Sequence, residues 1–140
     1  MQTSKLFDEI LTTFKEKING GGVFKEKFRI YSAHDLNVMA ILTTLKLSNH
    51  SCLNESYYNS SINYTNCAIF PTYSSLIRFE LHKEPSTGNY SIKFIYNNYT
   101  YDICYDKTLK NSQCKFSDFE ALMKENIITD DEYDTICSYQ

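Results

Sequence analysis

Between Pro71 and Ile103 the chain alternates apolar and polar residues three times in succession, and this restricts the fold more than any other feature. Ile77, Phe79 and Leu81 interleave with Arg78, Glu80 and His82; Tyr90, Ile92, Phe94 and Tyr96 repeat the period, and Tyr99, Tyr101 and Ile103 return it. A period of two belongs to a β-strand with one buried face. The connections are short. Pro85-Ser86-Thr87-Gly88 turns the chain, and Asn97-Asn98 suits the left-handed positions of a two-residue hairpin. Consecutive strands joined this way form an antiparallel meander, whose apolar face requires a second layer.

Helical segments supply that layer. Leu6, Phe7, Ile10, Leu11, Phe14 and Ile18 follow helical spacing, with Ser4 as the expected N-cap and Asn19-Gly20-Gly21-Gly22 as the stop. Ser117-Asp118-Phe119-Glu120 predicts a capping box opening a helix through Lys124, and Thr129-Asp130-Asp131-Glu132 predicts another before Cys137. Ahead of the meander, Phe28 to Ser32 is short, aromatic and β-branched and predicts a strand. It ends at Ala33, before His34-Asp35 and a helical pattern of Leu36, Met39, Ile41, Leu42 and Leu45. The order is strand, turn, helix. No other segment is an evident partner for that strand, so it should be poorly covered, with an apolar patch beside it. Ser48 to Thr65 is polar, rich in Asn, Ser and Tyr, and predicts an exposed loop bracketed by Cys52 and Cys67, which a disulfide would tie at its base.

Composition excludes some classes of function. A net charge of -3 arises from 14 basic and 17 acidic residues spread along the chain, so there is no electrostatic footprint for nucleic acid. No stretch reaches the roughly 18 apolar residues that span a bilayer. Five cysteines, Cys52, Cys67, Cys104, Cys114 and Cys137, lack the C-x-x-C spacing of a zinc site, so no metal is expected and disulfides in an oxidising compartment are. Asn-x-Ser/Thr sequons begin at Asn49, Asn54, Asn59, Asn63, Asn89 and Asn98, where composition alone would give about two. These signs of export stand beside an odd cysteine count and a first helix without a leader pattern. Together they predict an amino-terminal segment missing from residues 1–140.

The turn at His34-Asp35 carries the most chemistry. A helix opening there presents backbone N–H groups and its positive end, both suited to an anion such as phosphate. His34 could donate a hydrogen bond to a phosphoryl oxygen, and Asp35 could pass a proton to a departing alkoxide. The helix amino-terminus favours the carboxylate, so acidic conditions suit that second role. The plain alternative makes Asp35 an N-cap and His34 a turn residue.

Tyr31-Ser32-Ala33-His34-Asp35 resembles the Y-S-A-H-D element of the histidine acid phosphatases, branch 2 of the histidine phosphatase superfamily. Weaker matches follow in order: Leu6-Phe7-Asp8-Glu9-Ile10-Leu11, then Pro71-Thr72-Tyr73-Ser74-Ser75 with Phe79-Glu80-Leu81, then Phe94-Ile95-Tyr96-Asn97-Asn98. Cys104 and Cys114-Lys115-Phe116-Ser117-Asp118-Phe119 resemble the family's paired cysteines and C-P-L-x-x-F helix start. The resemblance implies an α/β fold, α+β-like in isolation: the carboxyl-terminal part of a phosphoglycerate-mutase-like α/β sandwich, covering residues 1–140. It implies phosphate monoester hydrolysis through a phosphohistidine, with His34 binding the phosphoryl group and Asp35 as proton donor. It also implies no cofactor, a lysosomal or extracellular location, a Cys104–Cys114 disulfide, and a Cys137 partner outside residues 1–140. A homodimer is left open.

The departures set limits. The nucleophilic R-H-G-x-R-x-P segment has no counterpart, the only arginines are Arg29 and Arg78, and His50 and His82 lie outside any such motif. Lys115 replaces the proline expected after the second cysteine. Residues 1–140 alone should therefore be inactive. Alternatives are a non-catalytic secreted glycoprotein module that retains the fold, and part of a phytase or inositol polyphosphate phosphatase.

Overall fold

A computed structural model describes residues 2–20, 25–58, 67–68, 70–104 and 112–138, without the side chains of 2, 130, 136 and 137. Its elements are α1 (Gln2–Asn19), α2 (Asp35–Thr44), α3 (His50–Tyr58), β1 (Ile77–Lys83), β2 (Tyr90–Tyr96), β3 (Tyr99–Tyr101), β4 (Gln113–Lys115), α4 (Phe116–Lys124) and α5 (Asp130–Cys137).

The alternating segments form the expected meander, with Phe79 opposite Phe94 and Phe94 opposite Tyr101. Gly88 (φ 74°) and Asn97 (φ 43°) take the left-handed conformations that their turns require. The returning strand ends at Tyr101, short of Ile103. The other β-edge partner is β4, which the sequence reading missed: Ile92 lies opposite Cys114, so β3 and β4 each pair with part of β2. A three-residue strand has no readable period. A disulfide from Cys104, just beyond β3, to Cys114 in β4 holds the two short strands together.

The alternation is a core pattern. Ile92, Phe94, Tyr96 and Tyr101 are buried with Phe7, Ile10 and Leu11 of α1, Ile41 and Leu42 of α2, and Phe119 and Met123 of α4. Phe119 spans the layers, its ring 6.0 Å from Phe14 of α1 and 6.0 Å from Phe79 of β1. Burial pushes the Tyr101 phenol up to about 12.

Several boundaries depart from expectation. The first helix begins at Gln2, so Ser4 lies inside it and is buried. Its hydroxyl accepts from Ile128 N–H (2.8 Å) and donates to Ile128 O (3.4 Å), tying α1 to the α4–α5 link. The segment expected as an exposed loop contains α3, because the Asn49 side chain caps Cys52 N–H at 2.9 Å; no α3 residue is buried, whereas Ser48 at the start of the segment is, and residues 59–65 lie outside the described residues. Cys52 is bonded to Cys67. The box expected at Ser117 does not form, because α4 starts at Phe116 directly out of β4 and Ser117 Oγ instead donates to Asp118 Oδ1. The Thr129–Glu132 box does form. Asn59 and Asn63 lie outside the described residues, as does the Cys137 side chain.

The strand expected at Phe28 to Ser32 is absent: residues 25–34 form neither helix nor ladder. A strand is defined by its ladder partner, and no described segment pairs with it; the Arg29 side chain bonds it to α1 instead. Phe28 and Ile30 are 78% and 80% exposed. Among the described residues no helix is long and apolar enough to cross a membrane.

Candidate active site

The amino-terminus of α2 is closed by His34 rather than by Asp35. His34 has extended backbone (φ −86°, ψ 164°), and its carbonyl accepts the N–H groups of Asn37 (3.0 Å) and Val38 (3.2 Å). The His34 N–H donates in return to Asn37 Oδ1 at 3.1 Å. That reciprocal bond is the second half of a capping box, with asparagine three positions on in place of the usual Glu or Gln. The spacing His34-x-x-Asn37 was visible in the sequence and went unread.

Asp35 occupies the first helical position, where its charge complements the helix dipole. Its Oδ1 accepts the Leu36 N–H at 2.8 Å, so the carboxylate already takes one of the donors that an incoming anion would use. The N–H of Asp35 itself makes no hydrogen bond within the described residues. Both His34 and Asp35 are exposed, as are Tyr31, Ser32 and Ala33 before them. The turn therefore opens to solvent, and both side chains are accessible.

Arg29 sets the approach to this turn. Its guanidinium makes two 2.8 Å bonds to the Glu26 carboxylate and reaches Glu9 (2.9 Å) and Thr13 (3.0 Å) on α1. Lys17 adds a 3.4 Å bond to Glu26 O. The bond from Arg29 holds Glu26 below the usual carboxylate range, and Glu26, with Tyr31 behind it, raises the arginine. Tyr31 is itself raised, chiefly by burial. Arg29 is thus committed to carboxylates, a role that sequence reasoning missed because its partners lie 3 and 20 residues away.

The other arginine and histidine side chains stand elsewhere. Arg78 on β1 faces Glu80 at 3.9 Å, and His82 Nε2 lies 3.1 Å from the same carboxylate. His50 begins α3. None of them is bonded to the His34-Asp35 turn. Among the described residues, no group of three or more His, Cys, Asp or Glu is placed to hold a metal. Beside the turn, Phe28, Ile30 and Leu36 (70% exposed) leave apolar surface open to solvent.

A search of curated proteins and of solved structures finds nothing that matches. A family model does match: the histidine phosphatase superfamily (branch 2), over residues 2–97, a span that contains α1, the His34-Asp35 turn, α2 and the first hairpin. With that match covering well over half of its length, the chain belongs to branch 2 of the histidine phosphatase superfamily.

Proposed function

We propose that this chain supplies the His-Asp half of an acid phosphatase active site, acting on phosphate monoesters. The observation that carries the reading is the placement of His34 and Asp35 side by side at the exposed amino-terminus of α2, in a chain of this superfamily. In the proposed reaction a phosphoryl group lies against the end of the helix. The free Asp35 N–H and the His34 imidazole donate to its oxygens as negative charge develops. The Asp35 carboxyl turns away from Leu36 N–H and gives a proton to the departing alkoxide.

The attacking histidine and the arginines that neutralise the phosphoryl oxygens come from outside residues 1–140, since the sequence holds no Arg-His-Gly and Arg29 is bound to Glu26 and Glu9. Residues 1–140 are accordingly the carboxyl-terminal portion of the catalytic domain. The uncovered Phe28 to Ile30 segment is the edge against which the remainder pairs. Two disulfides support a secretory-pathway location, lysosomal or extracellular.

Sequencing the full-length transcript tests this directly. An in-frame Arg-His-Gly segment upstream is expected; a true start at Met1 would instead favour a glycoprotein module that keeps the fold without the chemistry, a reading to which the Asp35–Leu36 bond lends support. Purified residues 1–140 should show negligible phosphomonoesterase turnover at acidic pH. Clear activity that Asp35→Ala abolishes would disprove the dependence on an outside nucleophile. In the complete protein, Asp35→Ala should lower kcat by roughly 10²- to 10⁴-fold, the usual contribution of a positioned proton donor.

A further inference from the structure

The described asparagines divide by environment. Asn37, Asn97 and Asn126 are half-buried, and their side-chain amides are bonded inside the fold. Asn37 Oδ1 accepts from His34 N–H at 3.1 Å, Asn97 Oδ1 accepts from Leu76 N–H at 2.9 Å, and Asn126 Nδ2 donates to Leu122 O at 2.8 Å. None of these begins an Asn-x-Ser/Thr triplet. Asn49, Asn54, Asn89 and Asn98 each begin one, and all four are exposed. Within the described residues, no Nδ2 of the four donates a hydrogen bond. For every described asparagine but Asn19, burial and hydrogen bonding thus follow the same division as the triplet, although the triplet carries no information about folding. Asn19, exposed but without a triplet, serves as an internal control.

We propose that Asn49, Asn54, Asn89 and Asn98 are acceptors of N-linked oligosaccharide. The two disulfides fit folding in an oxidising lumen, the kind of compartment in which such transfer occurs. The donor is an oligosaccharide carried on a lipid pyrophosphate. Asparagine Nδ2 forms a bond to the first sugar's anomeric carbon and loses one proton to a base of the transferase. The carbon–oxygen bond to the pyrophosphate breaks, and the lipid pyrophosphate leaves with the electron pair.

Each site tolerates the product. Asn89 precedes β2 and Asn98 sits in the hairpin after it, so sugars there project from opposite ends of one strand without meeting the core. Asn54 lies on α3, which buries none of its residues. Asn49 is the demanding case, because its side chain caps α3. The capping atom is Oδ1, bonded to Cys52 N–H at 2.9 Å, whereas the sugar attaches at Nδ2, so cap and glycan coexist. No triplet begins between Gly20 and Ser48, which leaves His34, Asp35 and the exposed Phe28, Ile30 and Leu36 bare.

The full chain is expressed behind a cleavable export leader in a eukaryotic cell, and both secreted and lumen-retained material is collected. Peptide N-glycosidase treatment in heavy-oxygen water converts each glycosylated asparagine to labelled aspartate, which peptide mass mapping locates. Labelled aspartate is expected at Asn49, Asn54, Asn89 and Asn98, with plain asparagine at Asn19, Asn37, Asn97 and Asn126. Plain asparagine at two or more of the four overturns the proposal, and labelling at three or four upholds it. Ser51→Ala should remove the label at Asn49 alone while keeping the α3 cap, so a misfolded Asn49→Gln protein does not decide the outcome. Because retained chains are mapped too, failure to be secreted leaves the result readable.

Discussion

Thr129 and Glu132 illustrate how one pair of side chains starts a helix. Thr129 N–H donates to Glu132 Oε2 at 2.8 Å, and Glu132 N–H donates back to Thr129 Oγ1 at 3.3 Å. The first of these bonds holds the Glu132 carboxyl below the usual carboxylate range. The folded chain therefore releases that proton more readily than the unfolded chain. The resulting stabilisation is complete above the ordinary Glu pKa of about 4.3 and is lost as pH falls through the lowered value. Comparison of urea midpoints for the natural chain and Glu132→Gln at pH values from neutral downward checks this. The difference should shrink under acid, and one that stays constant with pH would refute the role. Ser117 marks the contrary case, where a capping-box pattern was present but backbone pairing in β4 placed the helix start earlier.

At the scale of elements, the segment from residue 25 to 33 depends on Arg29 for its position. Without helix or ladder bonds of its own, it is held to α1 through Glu9 and Thr13. Exposed ion pairs contribute little to global stability, so the effect of losing this one should be local. Arg29→Ala is expected to leave the unfolding midpoint nearly unchanged while trypsin cuts faster after Lys25 and Lys27. Arg29→Lys should rescue only in part, because an ammonium cannot present the planar fork that grips Glu26 and reaches Glu9 together. Unchanged cleavage in the alanine variant would show that something other than Arg29 positions the segment. The segment leads directly into His34, so its placement also sets how the chain enters that turn.

For the whole molecule, the sheet and helices α1, α2 and α4 share a single core with Phe119 at the junction. Its ring is fully buried and lies near Phe14, Phe79 and Phe116 from three different elements or ends of elements. Phe119→Ala should cost about 3–5 kcal/mol, the range for truncating a buried aromatic. A domain with a total of about 5–15 kcal/mol would be left near its unfolding threshold. Phe28→Ser, at a side chain 78% exposed, should leave the urea midpoint of the same chain almost unmoved. A large loss there would mean that the apolar surface beside the turn is covered in solution.

The meander was legible because period-two alternation reports one buried face, whichever partner covers it, and Ile92, Phe94 and Tyr101 are buried as that pattern requires. The His34-Asp35 turn was legible because adjacent residues need no tertiary information to be recognised, and the Cys104–Cys114 bond was implied by resemblance before the structure placed it. Other features depended on distant contacts. Ser4 has the chemistry of an N-cap, yet it became a buried tie to Ile128, 124 positions away. Phe28 to Ser32 has the composition of a strand, but a strand exists only when a neighbour supplies its hydrogen bonds. Local side-chain chemistry determined which residues could form helices and turns, and it singled out the His34-Asp35 pair. Tertiary structure alone decided which of those options were realised, because hydrogen-bond partners and burial belong to pairs of segments and cannot be read from either one.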